Sequence, residues 1–241
     1  LVVTHVAFRD LGLIAYDEAL ALQRELLESV LASRDATPTL GAVLLLEHNP
    51  VITVSRRPSA ATNVLATPEL LARHGVTLAE TDRGGDVTYH GPGQLIAYPI
   101  LDLNALNLGL HAYMRLLEEA VIRTCASFGL ATTRDPSATG VWTLNAAGQP
   151  LAKIAAMGVR VRKWVSMHGL SLNIEPDLTH FGLIVPCGLV GRPVTSLRRE
   201  LGPACPAMPE VKSTLTSHLT ELIRHAAAQA QAGRDAGAVQ K

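Results

Sequence analysis

Apolar residues recur at helical spacing over residues 15–34, AYDEALALQRELLESVLASR, where Tyr16, Ala19, Leu20, Leu26, Leu27, Val30 and Leu31 form one stripe. Residues three and four apart share a helix face, so this stripe predicts an amphipathic helix that buries it. The pattern then tightens. GAVLLLEHNPVITVS reads as two apolar strands, residues 42–46 and 51–54, broken at Asn49 and Pro50. Residues 83–101 read as a glycine-rich loop running into the strand QLIAYPIL. A second helix is predicted over residues 110–128, through Tyr113, Met114, Leu117, Val121 and Phe128, with Gly129 as its stop.

Beyond Gly129 the period changes. GVWTL, the turn NAAGQ, then PLAKIAAMGVRVRKW and VSMHGLSLNI predict a run of antiparallel strands. Val159 and Val161 alternate there with Arg160 and Arg162, the mark of a half-exposed strand. A last helix is expected from about Pro209, with Val211, Leu215, Leu219 and Leu222 on its buried side. The tail, residues 226–241, is polar and rich in small residues and is expected to be flexible. There is no internal repeat and no linker. Helices and strands are mixed without a strict βαβ alternation, so the expected class is α+β, with a mixed or largely antiparallel sheet flanked by helices in one domain, residues 1–225.

A chain of 241 residues with 48% hydrophobic content can build a substantial core without disulfides. Lys+Arg and Asp+Glu balance at 21 each, which argues against nucleic acid or an anionic membrane surface as partner. No apolar run approaches the ~18 residues of a membrane span, and no signal-peptide pattern is visible. The cysteines, Cys125, Cys187 and Cys205, are odd in number and far apart, which fits neither a disulfide framework nor a zinc site. A reducing, cytoplasmic setting is expected. The histidines include no HxH, HxxxH or HExxH pair, so no metal is expected.

Four places could carry chemistry. RGGDVTYHGPGQL, residues 83–95, crowds Arg83, Tyr89, His90 and Gln94 around glycines that let backbone approach a ligand; it is neither a Walker loop nor GxGxxG, and a tight turn would look similar. Lys153 is the sole charge between Asn145 and Val159. Taken alone it suits a snorkelling edge lysine; desolvated, a lysine becomes a proton acceptor near neutral pH. His168 alone reads as a hydrogen-bonded strand-end histidine. Cys187, in IVPCGL, sits between the stiffest residue and the loosest one, Pro186 and Gly188. That turn suits an aimed nucleophile, yet the hexapeptide by itself favours a buried filler, the common fate of a free cysteine. Cys125 falls on the apolar face of the second helix, and Cys205 in a proline-rich loop.

Taken in order, RGGDVTYHGPGQLIAYPI, then GVW followed by KIAAMGVRVRKWVSMHGLSLNI, then DLTHFGLIVPCGL and VTSL resemble the lipoyl/octanoyl transferase family, relatives of the lipoate and biotin protein ligases. The resemblance spans about residues 40–200. It implies their α+β catalytic core and an octanoyl-[acyl-carrier-protein]:protein N-octanoyltransferase activity. It also implies roles: Cys187 as acyl-thioester nucleophile, Lys153 as the group that lowers its pKa and moves its proton. Arg83, Gly84, Gly85, Asp86, Val87, Thr88, Tyr89 and His90, with Ala156, Met157, Gly158, Gly169, Leu170 and Ser171, match the segments that line the acyl pocket. HNP at 48–50 stands where HPP is expected, and Asp86 where another polar residue is usual; neither touches the pair.

The implied donor is octanoyl-acyl carrier protein. The implied acceptors are lipoyl domains of 2-oxoacid dehydrogenase complexes and the glycine-cleavage H protein. No cofactor is expected, and a monomer is. An ATP-dependent lipoate or biotin ligase is the alternative on the same fold, disfavoured by the Pro-Cys-Gly turn and by the absence of a GRGR-type loop. A non-catalytic acyl- or lipoyl-domain-binding module is the other.

Overall fold

The computed structural model describes residues 6–58, 60–185 and 192–239. A seven-stranded sheet forms the spine. Its strands are β1 (Ala7–Ile14), β2 (Gly41–His48), β6 (Gln94–Leu101), β7 (Thr132–Asp135), β8 (Ala138–Leu144), β9 (Pro150–Arg162) and β10 (Val165–Asn173), in the order β1-β2-β6-β10-β9-β8-β7. All neighbours pair antiparallel except β1 with β2. A second sheet of three strands has β3 (Val51–Ser55) between β4 (Thr77–Thr81) and β5 (Val87–His90).

The helices cover the large sheet on both faces. Helix α1 (Tyr16–Ser33) buries Tyr16, Ala19, Leu20, Leu27 and Val30 against Leu44, Leu46, Ile96, Tyr98 and Ile100. Helices α3 (Leu110–Ser127) and α5 (Met208–Val239) pack on the opposite face over Leu45, Leu95, Ala97, Leu170 and Leu172. Successive strand residues point to opposite faces, so Leu95 and Ile96 serve different cores. A smaller cluster of Ile52, Leu71, Val76, Val87, Tyr89, Leu183 and Ile184 lies behind the three-stranded sheet, with α2 (Pro68–Arg73) over it. A short helix α4 (Leu197–Leu201) leads to α5. No helix among the described residues is long and apolar enough to cross a membrane.

The α+β class and the strands and helices read from periodicity are present, and Gly129 ends α3 with a φ of +79°. Three expectations change. The middle of the glycine-rich stretch is not loop: residues 87–90 form β5, because Val87 and Tyr89 alternate into the small core and both favour a pleated chain. Strands β1 and β4 carry too many exposed positions to read as apolar runs, and β7, TTRD, has no apolar residue at all. And the segment expected as a flexible tail continues α5 to Val239, with Ala226, Ala227 and Ala230 buried at 7%, 4% and 4% exposure. Alanine is the best helix former, and these alanines lie on one face.

Three methyl groups buried at about 0.8 kcal/mol each suggest about 2 kcal/mol of stabilisation from this last stretch. Removing residues 226–241 is therefore expected to lower Tm by about 5 °C, at roughly 2–4 °C per kcal/mol for a domain of this size. An unchanged Tm on thermal denaturation would show that this packing contributes nothing.

Candidate active site

Strand β9 carries Lys153 into the interior, where the residue is 8% exposed. Its Nζ donates to the Thr139 carbonyl at 3.0 Å and stands 4.8 Å from the Trp142 ring centroid. Arg192 packs on the same indole at 4.2 Å and pairs with Asp135. The lysine stem passes directly over Gly140, whose φ is +133°; a Cβ there would stand 2.7 Å from the Ala155 carbonyl oxygen and 3.2 Å from Lys153 Cε. The Gly140 N–H donates to Glu118 Oε1 at 3.2 Å, and Arg115 and Arg134 hold Glu118 Oε2. A buried carboxylate on α3 thus pins the strand next to the carbonyl that seats the lysine. None of Gly140, Glu118, Trp142, Asp135 or Arg192 was legible as part of the site, because each acts through a tertiary contact with Lys153 or its support.

Cys187, with Pro186 and Gly188, lies outside the described residues. Its flanks are anchored. On the near side the Val185 N–H donates to the Asn63 carbonyl at 2.8 Å, and Ile184 bridges to Val64. On the far side the Lys153 N–H donates to the Pro193 carbonyl and the Thr195 N–H donates to the Lys153 carbonyl, each at 2.9 Å. The chain leaving the Pro-Cys-Gly segment therefore runs parallel to β9 at Lys153 itself.

From this point a cleft runs along β9 and β10. Its chamber nearest Lys153 is lined by Thr88, Gln94, Ala156, Ser171, Asn173, Phe181 and Val194. The adjoining chamber shares Thr88, Ala156 and Ser171 and continues past Met157, Gly158, Gly169 and Leu170 to Tyr16, Tyr98 and His168, with Arg83, Gly85 and His90 on its side wall. Arg83 holds that wall in place by donating to the Thr53 carbonyl, Thr53 Oγ1 and the Gly84 carbonyl. The loop lies close on β9: Gly84 N–H donates to the Val159 carbonyl at 2.9 Å, and a Cβ on Gly158 would stand 2.8 Å from the Gly84 carbonyl oxygen.

Of the residues expected at the pocket, Arg83, Gly85, Thr88, His90, Ala156, Met157, Gly158, Gly169, Leu170 and Ser171 line this cleft. Gly84 contributes backbone to the loop. Val87 and Tyr89 point the other way, into the small core, because β5 alternates. Asp86 is buried and accepts from Asn63 Nδ2, next to the anchor of Val185.

The cleft is flanked by imidazoles held neutral. Burial pushes His48 down to about 4 and His90 to about 3, and it also lowers His168. His90 Nδ1–H donates to Gln94 Oε1 at 2.6 Å; Gln94 Nε2 donates to Asn173 Oδ1, and Asn173 Nδ2 to the Thr195 carbonyl. This chain of bonds ties the glycine-rich segment to the strap that pairs with Lys153. His168 Nε2 pairs with Asp82 Oδ1 at 2.8 Å. Burial works to raise Asp82, but the bond to His168 and the Arg160 charge bring it below the ordinary carboxylate range. Cys125 is fully buried in the core, and burial pushes its thiol up to about 12. Cys205 is half-buried, and burial raises its thiol too.

Residues 15–220 match the model of the lipoyl protein ligase A/B catalytic domain. The chain belongs to this family. Among curated relatives, the octanoyltransferase of Koribacter versatilis is 48% identical over 195 residues, 80% of this chain and 74% of that protein. The octanoyltransferase of Christiangramia forsetii is 42% identical over 227 residues, covering 91% of this chain and 96% of that one. A solved structure of lipoate-protein ligase A bound with ATP covers 91% of this chain and 85% of its own, with a TM-score of 0.66 at 16% identity. So does a structure of the bi-partite lipoate protein ligase and its E2 lipoyl domain from Thermoplasma acidophilum, at 91% and 84%, TM-score 0.66 and 16% identity. At such identity these two establish the shared fold.

This lipoyl protein ligase A/B domain should be acid-sensitive in a defined window. His48 and His90 take up protons in the unfolded chain near pH 6.5 but in the fold only near 4 and 3. Between these values the unfolded state binds more protons, so stability is full above about pH 6.5 and falls as pH drops towards 3. Denaturant unfolding at pH 7, 6, 5 and 4 is expected to show this decline, and His90→Gln is expected to reduce its slope. A flat profile down to pH 4 would contradict the neutral imidazoles.

Proposed function

We infer that the protein is an octanoyltransferase that moves an octanoyl group from the thioester of an acyl carrier protein to the lysine amine of a lipoyl domain, through an acyl-thioester on Cys187. The observation that carries the reading is the pairing of the Lys153 backbone with the segment that follows Pro-Cys-Gly in the chain, at the end of an apolar cleft. The curated relatives at 42–48% identity bear the matching name.

The chemistry follows from these groups. The thiolate is the reactive form of cysteine, and a neighbouring ammonium stabilises it. The Cys187 thiolate attacks the donor's thioester carbon; the tetrahedral adduct collapses, the carrier's C–S bond breaks, and Lys153 gives the leaving thiolate its proton. The acceptor amine then attacks the acyl-Cys187 carbon, loses a proton to Lys153, and the Cys187 thiolate leaves. One thioester replaces another of similar energy before the amide forms, so ATP has no part. The eight-carbon chain occupies the cleft between β9, β10 and the Arg83 loop, at about 0.8 kcal/mol for each methylene buried.

Incubation with octanoyl-acyl carrier protein, without ATP or acceptor, is expected to add one octanoyl group by intact mass, mapped to Cys187 and discharged by an apo-lipoyl domain. Acylation that appears only with ATP and free octanoate would instead make the protein a ligase. Cys187→Ser is expected to abolish transfer, while Cys125→Ser and Cys205→Ser retain it. Lys153→Ala is expected to slow acylation at pH 7 at least tenfold and to shift its pH profile upward; an unchanged profile would remove the lysine from the mechanism.

A further inference from the structure

Lys153 stands where the sheet is irregular on both sides. Towards β8, Val141 pairs with Ala155, Trp142 with Lys153 and Leu144 with Pro150, and the register shifts on either side of the Trp142–Lys153 pair. Towards β10 the ladder ends at Leu172, opposite Ala155. After Asn173 the chain turns away. The Ile174 and Glu175 N–H groups donate to the Gly93 carbonyl at 3.1 and 2.9 Å, and the Ile174 carbonyl accepts from the Arg198 N–H at 2.8 Å. Residues 193–195 take the vacated place beside Lys153 and bridge to it in parallel. Without them a buried residue would keep an orphaned N–H and C=O.

Buried side chains stitch this segment to the end of β10. Asn173 Nδ2 donates to the Thr195 carbonyl at 2.9 Å, Gln94 Nε2 to Asn173 Oδ1 at 2.8 Å, and His90 Nδ1–H to Gln94 Oε1 at 2.6 Å. Backbone sets the direction of this chain. A carbonyl can only accept, so the Thr195 carbonyl fixes which end of the Asn173 amide faces it. The Tyr89 carbonyl, 3.4 Å from Gln94 Nε2, does the same for Gln94. The bonds of Gln94 thus go to His90, Tyr89 and Asn173; among the described residues it is bonded neither to Lys153 nor to residues 193–195.

We propose that Asn173, oriented by Gln94, is a positioning residue for Lys153: it holds residues 193–195 in the place that β10 vacates, and they set where β9 carries the lysine. The inference rests on the transferase reading for the task of Lys153, while the stitch is a property of the fold. Isosteric carboxylates keep the volume and remove the N–H. Asn173→Asp sets an oxygen against the Thr195 carbonyl. Gln94→Glu removes the donor to Asn173 Oδ1. The Asn173 amide then turns over to give its N–H to the new carboxylate, and its oxygen meets the Thr195 carbonyl. Both changes release the segment, the second from a residue bonded to neither the segment nor the lysine.

Amide hydrogen exchange reads the stitch without turnover. The Lys153 and Thr195 amides donate to the Pro193 and Lys153 carbonyls. In both variants they are expected to exchange at least about tenfold faster, while the β9–β10 ladder from Ala155 to Arg162 is unchanged. Acylation by octanoyl-acyl carrier protein is expected to slow at least about tenfold, with its pH profile shifted upward as in Lys153→Ala. In the Lys153→Ala background Gln94→Glu is expected to cost nothing further, because it acts through the lysine; a fully additive loss would overturn the proposal. Asn173→Ser, uncharged and too short to reach both partners, replaces the carboxylates if they prevent folding. Unchanged exchange at Lys153 and Thr195 in folded variants overturns the stitch, and faster exchange with unchanged acylation overturns the positioning of Lys153. Faster exchange in variants of a protein that transfers no acyl group would sink the transferase reading and leave the stitch standing.

Discussion

The antiparallel register of β9 on β10 is the constraint on which the site depends. It sets Ser171 against Ala156 and Gly169 against Gly158, the floor of the cleft, and it orders the cleft from Lys153 at one end to His168 at the other. A slip of one residue would turn every side chain to the other face and send Leu170 and Leu172 out of the core beneath α3 and α5. The register is held by burial on both faces: β10 has no exposed residue along its length. The same burial that stabilises the sheet therefore aligns the chemistry.

Around this pair the protein keeps polar groups inside at two levels. At the Lys153 end the groups are charged and cross-linked, with Glu118 shared by two arginines and Arg192 stacked on the tryptophan that also carries the lysine. At the far end they are neutral imidazoles and phenols, each with its hydrogen-bond partner. Buried polar groups are tolerated when satisfied, and in a low-dielectric interior they then hold rings in one orientation.

Several candidates for the site stood out in the sequence for physical reasons. A lone lysine in an apolar strand, a cysteine between proline and glycine, and glycines crowded beside arginine and histidine are each expensive or unusual locally, and so stand out from any periodic pattern. Gly140 and Glu118 do not stand out. An isolated glycine at the start of a strand and a glutamate on a helix are ordinary; their roles arise where α3, β8 and β9 meet. Tyr16 and Tyr98 read only as core aromatics, since the pattern that buries them is the same whether or not a cleft lies beside them.

The sequence by itself determined the α+β class, the helix faces and the strands of the antiparallel run, because these follow from local spacing; the roles expected of Cys187 and Lys153 came only with the resemblance of ordered blocks to a family. Only the tertiary structure decided that the glycine-rich segment contains a strand of a separate sheet and that the alanine-rich end is packed helix. It alone brought the segment beyond Cys187 onto the backbone of Lys153 and turned His168 against its strand's alternation to meet Tyr98. Those outcomes depend on contacts between residues far apart in the chain, with Tyr98 and His48 fifty residues apart and His168 and Asp82 eighty-six. No local periodicity encodes such pairings; burial and hydrogen-bond satisfaction in the assembled core select them.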